Sequence, residues 1–187
     1  DYLIFTDGDC IPRKDFVETH LNNRESGRFL SGGYFMLPMN ISKLISREDV
    51  LSQKCFDVNW LTQNGLKKSF KNNKLSAKAF KAKLLNFLTP TKPSWNGHNA
   101  SGWKKDLVKI NGFNQEMQYG GQDRELGERL ENLGIKGKQI RYSAICVHLD
   151  HARGYVNPET WAKNHAIRKN TRDQKLTWTE QGITTNL

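Results

Sequence analysis

A short apolar run near the start of the chain ends in two closely spaced carboxylates. Tyr2–Phe5 is bounded by a turn signal and reads as a buried strand, and the loop Thr6-Asp7-Gly8-Asp9 follows it at once. Two aspartates on one tight loop supply the hard oxygen ligands that Mg²⁺ and Mn²⁺ prefer, so Asp7 and Asp9 are candidate metal ligands. A plain polar turn is the alternative, because Asp-Gly is a common turn pair.

The composition is that of a folded protein that favours anionic partners. Apolar residues make up 36% of the 187 residues, too many for a disordered chain. The formal net charge of +10 suits nucleotide diphosphates, phosphorylated glycans, lipid headgroups or nucleic acid. Cys10, Cys55 and Cys146 are scattered without a CxxC pair, so we expect small core residues in a reducing compartment rather than disulfides or a thiolate zinc site. No apolar run is long enough to span a membrane.

The first half of the chain predicts strands and then basic helices. After the acidic loop, a turn leads into a helix with Phe16, Val17 and Leu21 on one side. Residues 28–39 predict a strand that Gly32-Gly33 interrupts with a bulge or a close backbone approach.

Residues 41–88 are helical in pattern and strongly basic. The lysines of this stretch are Lys67, Lys68, Lys71, Lys74, Lys78, Lys81 and Lys83. Apolar residues recur among them at helical spacing, namely Phe70, Ala77, Phe80, Leu84 and Phe87. We expect an amphipathic helix or helix pair whose apolar face packs on the domain. The alternative is that this face docks on an anionic membrane surface near a lipid-linked acceptor.

The second half of the chain predicts alternating strands and helices. In order, these are a short strand or turn from residue 99, a helix around residues 104–109, a turn at Asn111-Gly112, a helix over residues 122–133 closed by Gly134, and a strand over residues 140–148. Glu125 and Glu128 are expected on the solvated face of the second helix. The tail from residue 158 is polar, and Trp161 and Trp178 are its large apolar anchors.

Two polar motifs flank these elements. Gly120-Gly121-Gln122-Asp123 precedes a helix, so Asp123 falls in the first turn, where the helix dipole favours a carboxylate. The two glycines allow a substrate to approach the backbone closely, although Asp123 as a simple helix cap is the alternative. His148-Leu149-Asp150-His151 follows the last strand, where a neutral imidazole is a suitable metal ligand and Asp150 a suitable hydrogen-bonding partner for it.

Taken together in this order, the motifs resemble the glycosyltransferases of the GT-A fold. The resemblance is closest to the bacterial inverting family 2 enzymes and their relatives among galactosyltransferases and chondroitin-type polymerases. Residues 3–9 match the hydrophobic strand and DxD motif, residues 99–113 look like the segment that ends in NGF, and residues 119–126 look like the GWGGEDxEL motif. The resemblance covers about residues 1–155, with a gap in the lysine-rich middle.

The resemblance implies an α/β fold, specifically the C-terminal portion of a GT-A domain with a Rossmann-like mixed sheet. Residues 1–155 would form the C-terminal half of the catalytic domain, with a basic helical insert at about residues 41–93, and residues 156–187 a C-terminal tail. The chain opens without Met and within a strand, so we expect the nucleotide-binding half of the domain to precede it.

The resemblance also implies a role for each motif. Asp9 and His148 would hold Mn²⁺ or Mg²⁺ against the diphosphate of a nucleotide-sugar, with Asp7 contacting the ion or the ribose. Asp123 would act as the base that takes the proton of the acceptor hydroxyl, and attack from the opposite face would give inversion. The residues expected to bind the donor or the acceptor are Asp7, Asn99, Trp103, Gly121, Gln122, His151 and Arg153.

The implied protein is a metal-dependent inverting glycosyltransferase. It would move a sugar from a nucleotide-sugar, with a UDP-sugar as the favoured donor, to a hydroxyl of a glycan or lipid-linked acceptor in bacterial surface polysaccharide synthesis. We expect a cytoplasmic protein without a nucleic-acid partner, held at the inner face of the membrane if the lysine-rich segment contacts lipid.

Three alternatives stay open. Gln122 stands where the family usually has an acidic residue and Tyr119 where it often has Trp, so the first is a non-catalytic relative that only binds glycan. The second is a basic nucleic-acid-binding module, which should lose affinity with salt and show no metal dependence. The third is a metal-dependent phosphoryl transferase or nuclease, which would need more acidic residues around Asp7 and Asp9 than the sequence has.

Overall fold

The computed structural model describes residues 1–152 and 157–183. The strands in these residues are β1 Tyr2–Phe5, β2 Cys10–Pro12, β3 Arg28–Ser31, β4 Gly33–Met36, β5 Ala100–Trp103, β6 Lys136–Gln139 and β7 Ile145–His148. The α-helices are α1 Phe16–Asn23, α2 Met39–Ser42, α3 Arg47–Leu51, α4 Val58–Gln63, α5 Asn73–Ser76, α6 Ala79–Leu88, α7 Lys104–Lys109, α8 Gln122–Asn132 and α9 Pro158–Asp173. Lys54–Phe56 and Phe70–Asn72 form short 3-10 helices.

Two small sheets of mixed strand direction organise the chain. The first has the order β1-β5-β3-β6, in which β5 runs antiparallel to β1 and β3 while β3 runs parallel to β6. The second has the order β2-β7-β4, in which β7 runs antiparallel to β2 and parallel to β4. The chain is therefore an α/β protein with mixed sheets, and the prediction is confirmed at that level.

The chain crosses from the first sheet to the second at Gly32-Gly33. A Cβ on Gly32 would lie 1.8 Å from the side-chain oxygen of Asn99, and one on Gly33 would lie 2.1 Å from the carbonyl oxygen of Arg141. No side chain fits at either position, which confirms the predicted close backbone approach. The interruption is not a bulge within one strand, because β3 and β4 belong to different sheets.

Each sheet has its own hydrophobic core. The first sheet packs against α7 and α8, and this core contains Phe29, Trp95, Ala100, Leu107, Ile110, Leu126 and Leu130. The second sheet packs against residues 37–75, and this core contains Ile11, Phe35, Leu37, Ile41, Cys55, Phe56, Leu61, Leu66, Leu75, Ile145 and Val147. All three cysteines are buried free thiols, as the sequence predicted.

Several local predictions are corrected by the structure. The strand predicted over residues 140–148 begins only at residue 145, and β2 and β6 were not predicted. α1 lies where it was expected, but it buries Phe16 and His20, whereas Val17 and Leu21 are exposed. α1 is thus positioned by a buried histidine that the apolar pattern did not reveal.

The lysine-rich segment is helical, as predicted, but its apolar face does not pack as expected. Of the two forms predicted, an amphipathic helix or a helix pair, the structure has the second: the helices α5 and α6 follow the 3-10 turn Phe70–Asn72. The expectation that its apolar face packs on the domain is wrong for α6, because Phe80, Leu84 and Phe87 are exposed. Among residues 1–152 and 157–183, no helix has both the length and the apolar character needed to cross a bilayer.

Candidate active site

Strand pairing brings the acidic loop to the end of β7. The loop follows β1 and closes with a hydrogen bond from the Cys10 amide to the Asp7 carbonyl oxygen at 3.1 Å. β2 then pairs with β7 so that Cys10 lies opposite His148, and the Leu149 amide donates to the Asp9 carbonyl oxygen at 2.9 Å. This antiparallel register places His148 beside Asp9, although the two are far apart in sequence.

Three acceptor atoms converge beside the loop. Nδ1 of His148 and Nδ1 of His151 lie 2.8 Å and 3.0 Å from backbone carbonyl oxygens, which can only accept, so each Nδ1 carries a hydrogen. In the neutral rings each Nε2 therefore presents a lone pair, and these atoms lie 3.6 Å and 3.0 Å from Asp9 Oδ2. A cation placed between these three atoms would be bound by both imidazole lone pairs and by the carboxylate.

The donor set at this point fits a divalent transition ion. Asp9 Oδ1 is buried and has no hydrogen-bond partner in the part of the chain that the structure describes. Asp9, Cys10 and His148 offer ligand atoms that lie within 4.8 Å of one another. A hydrogen bond with Cys146, together with burial, raises the pKa of the Cys10 thiol, which keeps the thiol protonated and a weak ligand. The remaining carboxylate and imidazoles suit Mn²⁺ better than Mg²⁺, because Mg²⁺ prefers oxygen ligands throughout.

The carboxylates of Asp7 and Asp123 both lie close to Gly97. The Gly97 amide donates to Asp123 Oδ2 at 3.3 Å, and a Cβ built on Gly97 would lie 3.6 Å from Asp7 Oδ1. Burial raises the pKa of Asp7, the charge of Asp9 raises it further, and the charge of Asp123 adds to both, while His148 opposes them. The charges of the predicted metal ligands and of the predicted base therefore both act on the Asp7 carboxyl group.

The predicted base is held at the start of α8. Gly120 and Gly121 have φ angles of 110° and 89°, which favour glycine, and the Gly120 amide donates to Gln122 Oε1 at 2.9 Å. Gly121 occupies the N-cap position, so Asp123 is not the N-cap. Asp123 lies in the first turn, as predicted, and its Oδ1 accepts a hydrogen bond from the Arg124 amide at 2.7 Å.

These groups line one open cleft of about 530 Å³. Its lining residues are Asp7, Gly97, His98, Tyr119, Gly120, Gly121, Gln122, Asp123, Arg124, His148, Trp161, His165 and Arg168. The structure thus brings together Asp7, Gly121, Gln122, Asp123 and His148 from the predicted set. Asp9 and His151 adjoin the cleft through their contacts with each other and with His148.

His98 lines the cleft and was not predicted from the sequence. Its ring centroid lies 4.6 Å from that of Tyr34 and 6.5 Å from that of His148. Burial, with a smaller contribution from the charge of His148, lowers the pKa of His98 to about 4, so the ring is neutral near pH 7. The signal in the sequence is its place directly before the segment of residues 99–113.

α9 also contributes to the cleft, although its residues were assigned to a polar tail. Trp161, His165 and Arg168 follow one another at positions i, i+4 and i+7, and therefore share one face of the helix. Asn157 caps the helix by accepting a hydrogen bond from the Glu159 amide, and Pro158 occupies its first turn. This start signal and the helical spacing were the available clues.

Buried polar contacts fix α9 on α8. Glu125 is 1% exposed, pairs with Arg129 at 2.8 Å, and accepts a hydrogen bond from Thr171 Oγ1 at 3.0 Å. Glu128 pairs with Arg168 at 2.6 Å. The prediction that Glu125 and Glu128 form a solvated face is wrong, because α9 covers that face.

Asn99 was predicted to bind the donor or the acceptor, but it does not line the cleft. It is fully buried, and its side-chain amide donates to the carbonyl oxygens of Gly33 at 2.7 Å and Ala144 at 3.2 Å. Its backbone carbonyl also accepts a hydrogen bond from the Gly32 amide at 2.9 Å. Asn99 directly precedes β5 of the first sheet and binds Gly33 of β4, so it joins the two sheets.

Trp103 was also predicted to bind the donor or the acceptor, and it does not line the cleft either. β5 runs antiparallel to β1, so Trp103 lies opposite Tyr2, at the far end of β1 from the acidic loop. Its Nε1 donates to the Glu25 carbonyl oxygen at 3.0 Å, and its ring packs edge-on against Tyr2 with centroids 5.0 Å apart. Arg153, the remaining predicted binding residue, lies outside the described residues.

A comparison of the sequence with models of known protein families finds no matching family, and a comparison with curated proteins finds no significant match.

Proposed function

We propose that this chain is the metal- and acceptor-binding part of an inverting glycosyltransferase of the GT-A fold, which uses a nucleotide-sugar donor and a glycan or lipid-linked acceptor. The observation that carries the proposal is one cleft that joins an Asp-x-Asp loop, a histidine beside it and a carboxylate in the first turn of a helix. The mixed first sheet, with an antiparallel strand beside β1, supports the same proposal.

Asp9, His148 and His151 would hold the cation, with Asp7 close by. A divalent ion held by these residues would supply positive charge to stabilise the departing diphosphate, a contribution of several kcal/mol in metal enzymes. The two carbonyl oxygens behind the histidines fix the tautomer that directs each Nε2 toward Asp9. Mn²⁺ is the ion that this donor set favours.

Asp123 would take the proton of the acceptor hydroxyl. As the acceptor oxygen forms its bond to the anomeric carbon, the bond from that carbon to the diphosphate oxygen breaks and the diphosphate leaves with the electron pair. The hydroxyl proton passes to the Asp123 carboxylate, which the Gly97 amide orients from 3.3 Å. A positioned base of this kind contributes about 10²–10⁴-fold to the rate. Attack from the face opposite the diphosphate inverts the configuration.

Aromatic side chains on the same cleft would bind the acceptor sugar. Tyr119 and Trp161 are both partly exposed and line the cleft on either side of Gly120. A Cβ on Gly120 would lie 3.1 Å from the Trp161 ring, so the absence of a side chain there lets the indole lie close to the Gly120 backbone. An indole face set against a backbone turn is a suitable surface for the apolar face of a sugar ring.

Calorimetric titration with UDP separates the role of the metal ligands from that of the base. In the protein at its full natural length, we expect UDP to bind tightly only when Mn²⁺ is present. The Asp9→Asn variant should lose this Mn²⁺-dependent binding, whereas Asp123→Asn should keep it, because Asp123 acts on the acceptor. Equal UDP affinity with and without Mn²⁺ in the wild-type protein would contradict the proposed metal site.

A further inference from the structure

Helix α6 presents an apolar face to solvent. Phe80 is 78% exposed and Phe87 is 85% exposed, and Leu84 and Leu88 are exposed as well. These four residues occupy positions i, i+4, i+7 and i+8, so they share one side of the helix. An exposed apolar stripe of this kind on a folded protein marks a surface that contacts another molecule.

The opposite side of α6 is fixed to the protein. Ala82 is buried in a small cluster with Ala77 and Tyr142. Asn86 Oδ1 accepts a hydrogen bond from the Tyr142 amide at 2.8 Å, and its Nδ2 donates to Ser143 Oγ at 2.9 Å. These contacts set the rotation of the helix, and the Phe80 side therefore points away from both hydrophobic cores.

The surroundings of this apolar stripe are strongly positive. No carboxylate occurs in the sequence between Asp57 and Asp106. Within residues 67–83, six lysines are exposed and form no ion pair with any described residue, namely Lys67, Lys68, Lys71, Lys78, Lys81 and Lys83. At about 100° per residue, Lys81 and Lys83 flank the stripe on its two sides. Long lysine side chains in this position carry their charges to the edge of an apolar layer.

We propose that α6 and the lysines before it form a docking surface for an anionic lipid bilayer. The helix lies in the plane of the interface, Phe80 and Phe87 enter the headgroup region, and the lysines contact lipid phosphates. A second copy of the chain is a poorer occupant, because two lysine-rich faces would repel each other. Nucleic acid is also a poorer occupant, because Leu84 and Leu88 lie between and beside the two phenylalanines, and these aliphatic side chains gain more from an apolar layer than from bases, which stack on aromatic rings.

This proposal depends on the exposure and charge of residues 67–88 and is independent of the proposed reaction. Co-sedimentation with lipid vesicles tests it directly. We expect the protein to bind vesicles of phosphatidylcholine mixed with phosphatidylglycerol, and to bind pure phosphatidylcholine vesicles far more weakly. Binding should weaken as salt is added, because salt screens the lysine charges.

Matched pairs of variants separate this surface from general stickiness and general charge. Phe80→Ala with Phe87→Ala should weaken partitioning at least about tenfold, whereas Leu51→Ala with Val17→Ala, which trims exposed apolar residues elsewhere, should change it less than about twofold. Lys81→Ala with Lys83→Ala should weaken it about fivefold per lysine, whereas Lys105→Ala with Lys109→Ala makes the same change in net charge and should have much less effect. All of these side chains are exposed, and unchanged circular dichroism spectra verify the fold.

Three results would overturn the proposal. The first is equal loss of binding in each variant pair and its control, because that would make binding a property of the whole surface. The second is equal binding to neutral and anionic vesicles. The third is an absence of vesicle binding together with self-association or DNA binding that the phenylalanine variants abolish, because the occupant would then be a second copy or a nucleic acid.

Discussion

At the residue scale, His20 shows how a polar group is used inside this fold. It is fully buried, and its Nε2 lies 2.9 Å from Asn99 Oδ1 while its Nδ1 lies 2.7 Å from Ser101 Oγ. Since the Asn99 oxygen can only accept, Nε2 carries the hydrogen of a neutral ring and Nδ1 accepts from the serine. The Tyr2 hydroxyl lies 2.8 Å from the same serine oxygen and extends the network. Asn99, which joins the two sheets, is thus itself held in place by the neutral ring of His20.

Acidification should therefore destabilise the protein through His20. Burial lowers its pKa from 6.5 to about 4, so the unfolded state binds the proton more readily than the folded state. Stability is complete above pH 6.5 and is lost as the pH falls from 6.5 toward 4, by about 2 kcal/mol between pH 7 and pH 5 for this one group. Urea denaturation at the two pH values measures the loss.

Two variants identify His20 as the source of this pH dependence. His20→Gln lacks the titrating ring, so its loss between pH 7 and pH 5 should be smaller than that of the wild type by about 2 kcal/mol. His165→Gln changes an exposed histidine and should leave the loss unchanged. The same loss in wild type and His20→Gln would contradict this explanation.

At the element scale, α9 completes the cleft that the acidic loop and α8 begin. Arg168 pairs with Glu128 on α8, and the Asn164 side chain donates to the carbonyl oxygen of Gly120 at 2.8 Å. These contacts hold Trp161 over the glycine turn that leads to Asp123. In the proposed reaction, α9 would therefore determine which acceptor can reach Asp123.

Replacing Trp161 tests this role of α9. Trp161→Ala should raise the KM for the acceptor about three- to tenfold, because one aromatic contact is lost, while Mn²⁺-dependent UDP binding stays unchanged. Trp178→Ala is the matched control, since Trp178 is 41% exposed, Trp161 is 40% exposed, and Trp178 does not line the cleft. Acceptor kinetics of the two variants decide the matter, and an equal effect of both would argue against a binding surface at Trp161.

At the scale of the whole molecule, the site lies where the chain passes between its two sheets. β1 belongs to the first sheet and β2 to the second, and the acidic loop is the short connection between them. β7 pairs with β2 and supplies His148, and Gly97 and His98 lie in the stretch before β5, which pairs with β1. Strand register thus brings together three parts of the cleft, namely the acidic loop, His148 and residues 97–98.

The sequence predicted the elements whose signals are local. β1, β5, α7 and α8 appear where apolar periodicity, glycines and capping residues placed them, and Asp123 falls in the first turn of its helix. The missed features depend on partners distant in sequence. β6, with the sequence KGKQ, has no apolar pattern and is a strand because β3 pairs with it. Asn99 and Glu125 are polar and were expected near solvent, yet both are buried. In each case the segment that covers the side chain is distant in sequence, so the local pattern does not reveal it.

The most direct measurement of the proposed function is release of UDP from a panel of UDP-sugars, with acceptor present, by the protein at its full natural length. We predict release that requires Mn²⁺, that is lost in Asp9→Asn and in Asp123→Asn, and that persists in the control Asp173→Asn, which changes an exposed aspartate at the end of α9. For Asp123→Asn the loss should be about 10²–10⁴-fold. Release that is independent of Mn²⁺, or that survives in Asp9→Asn and Asp123→Asn as well as in Asp173→Asn, would contradict the proposed glycosyl transfer.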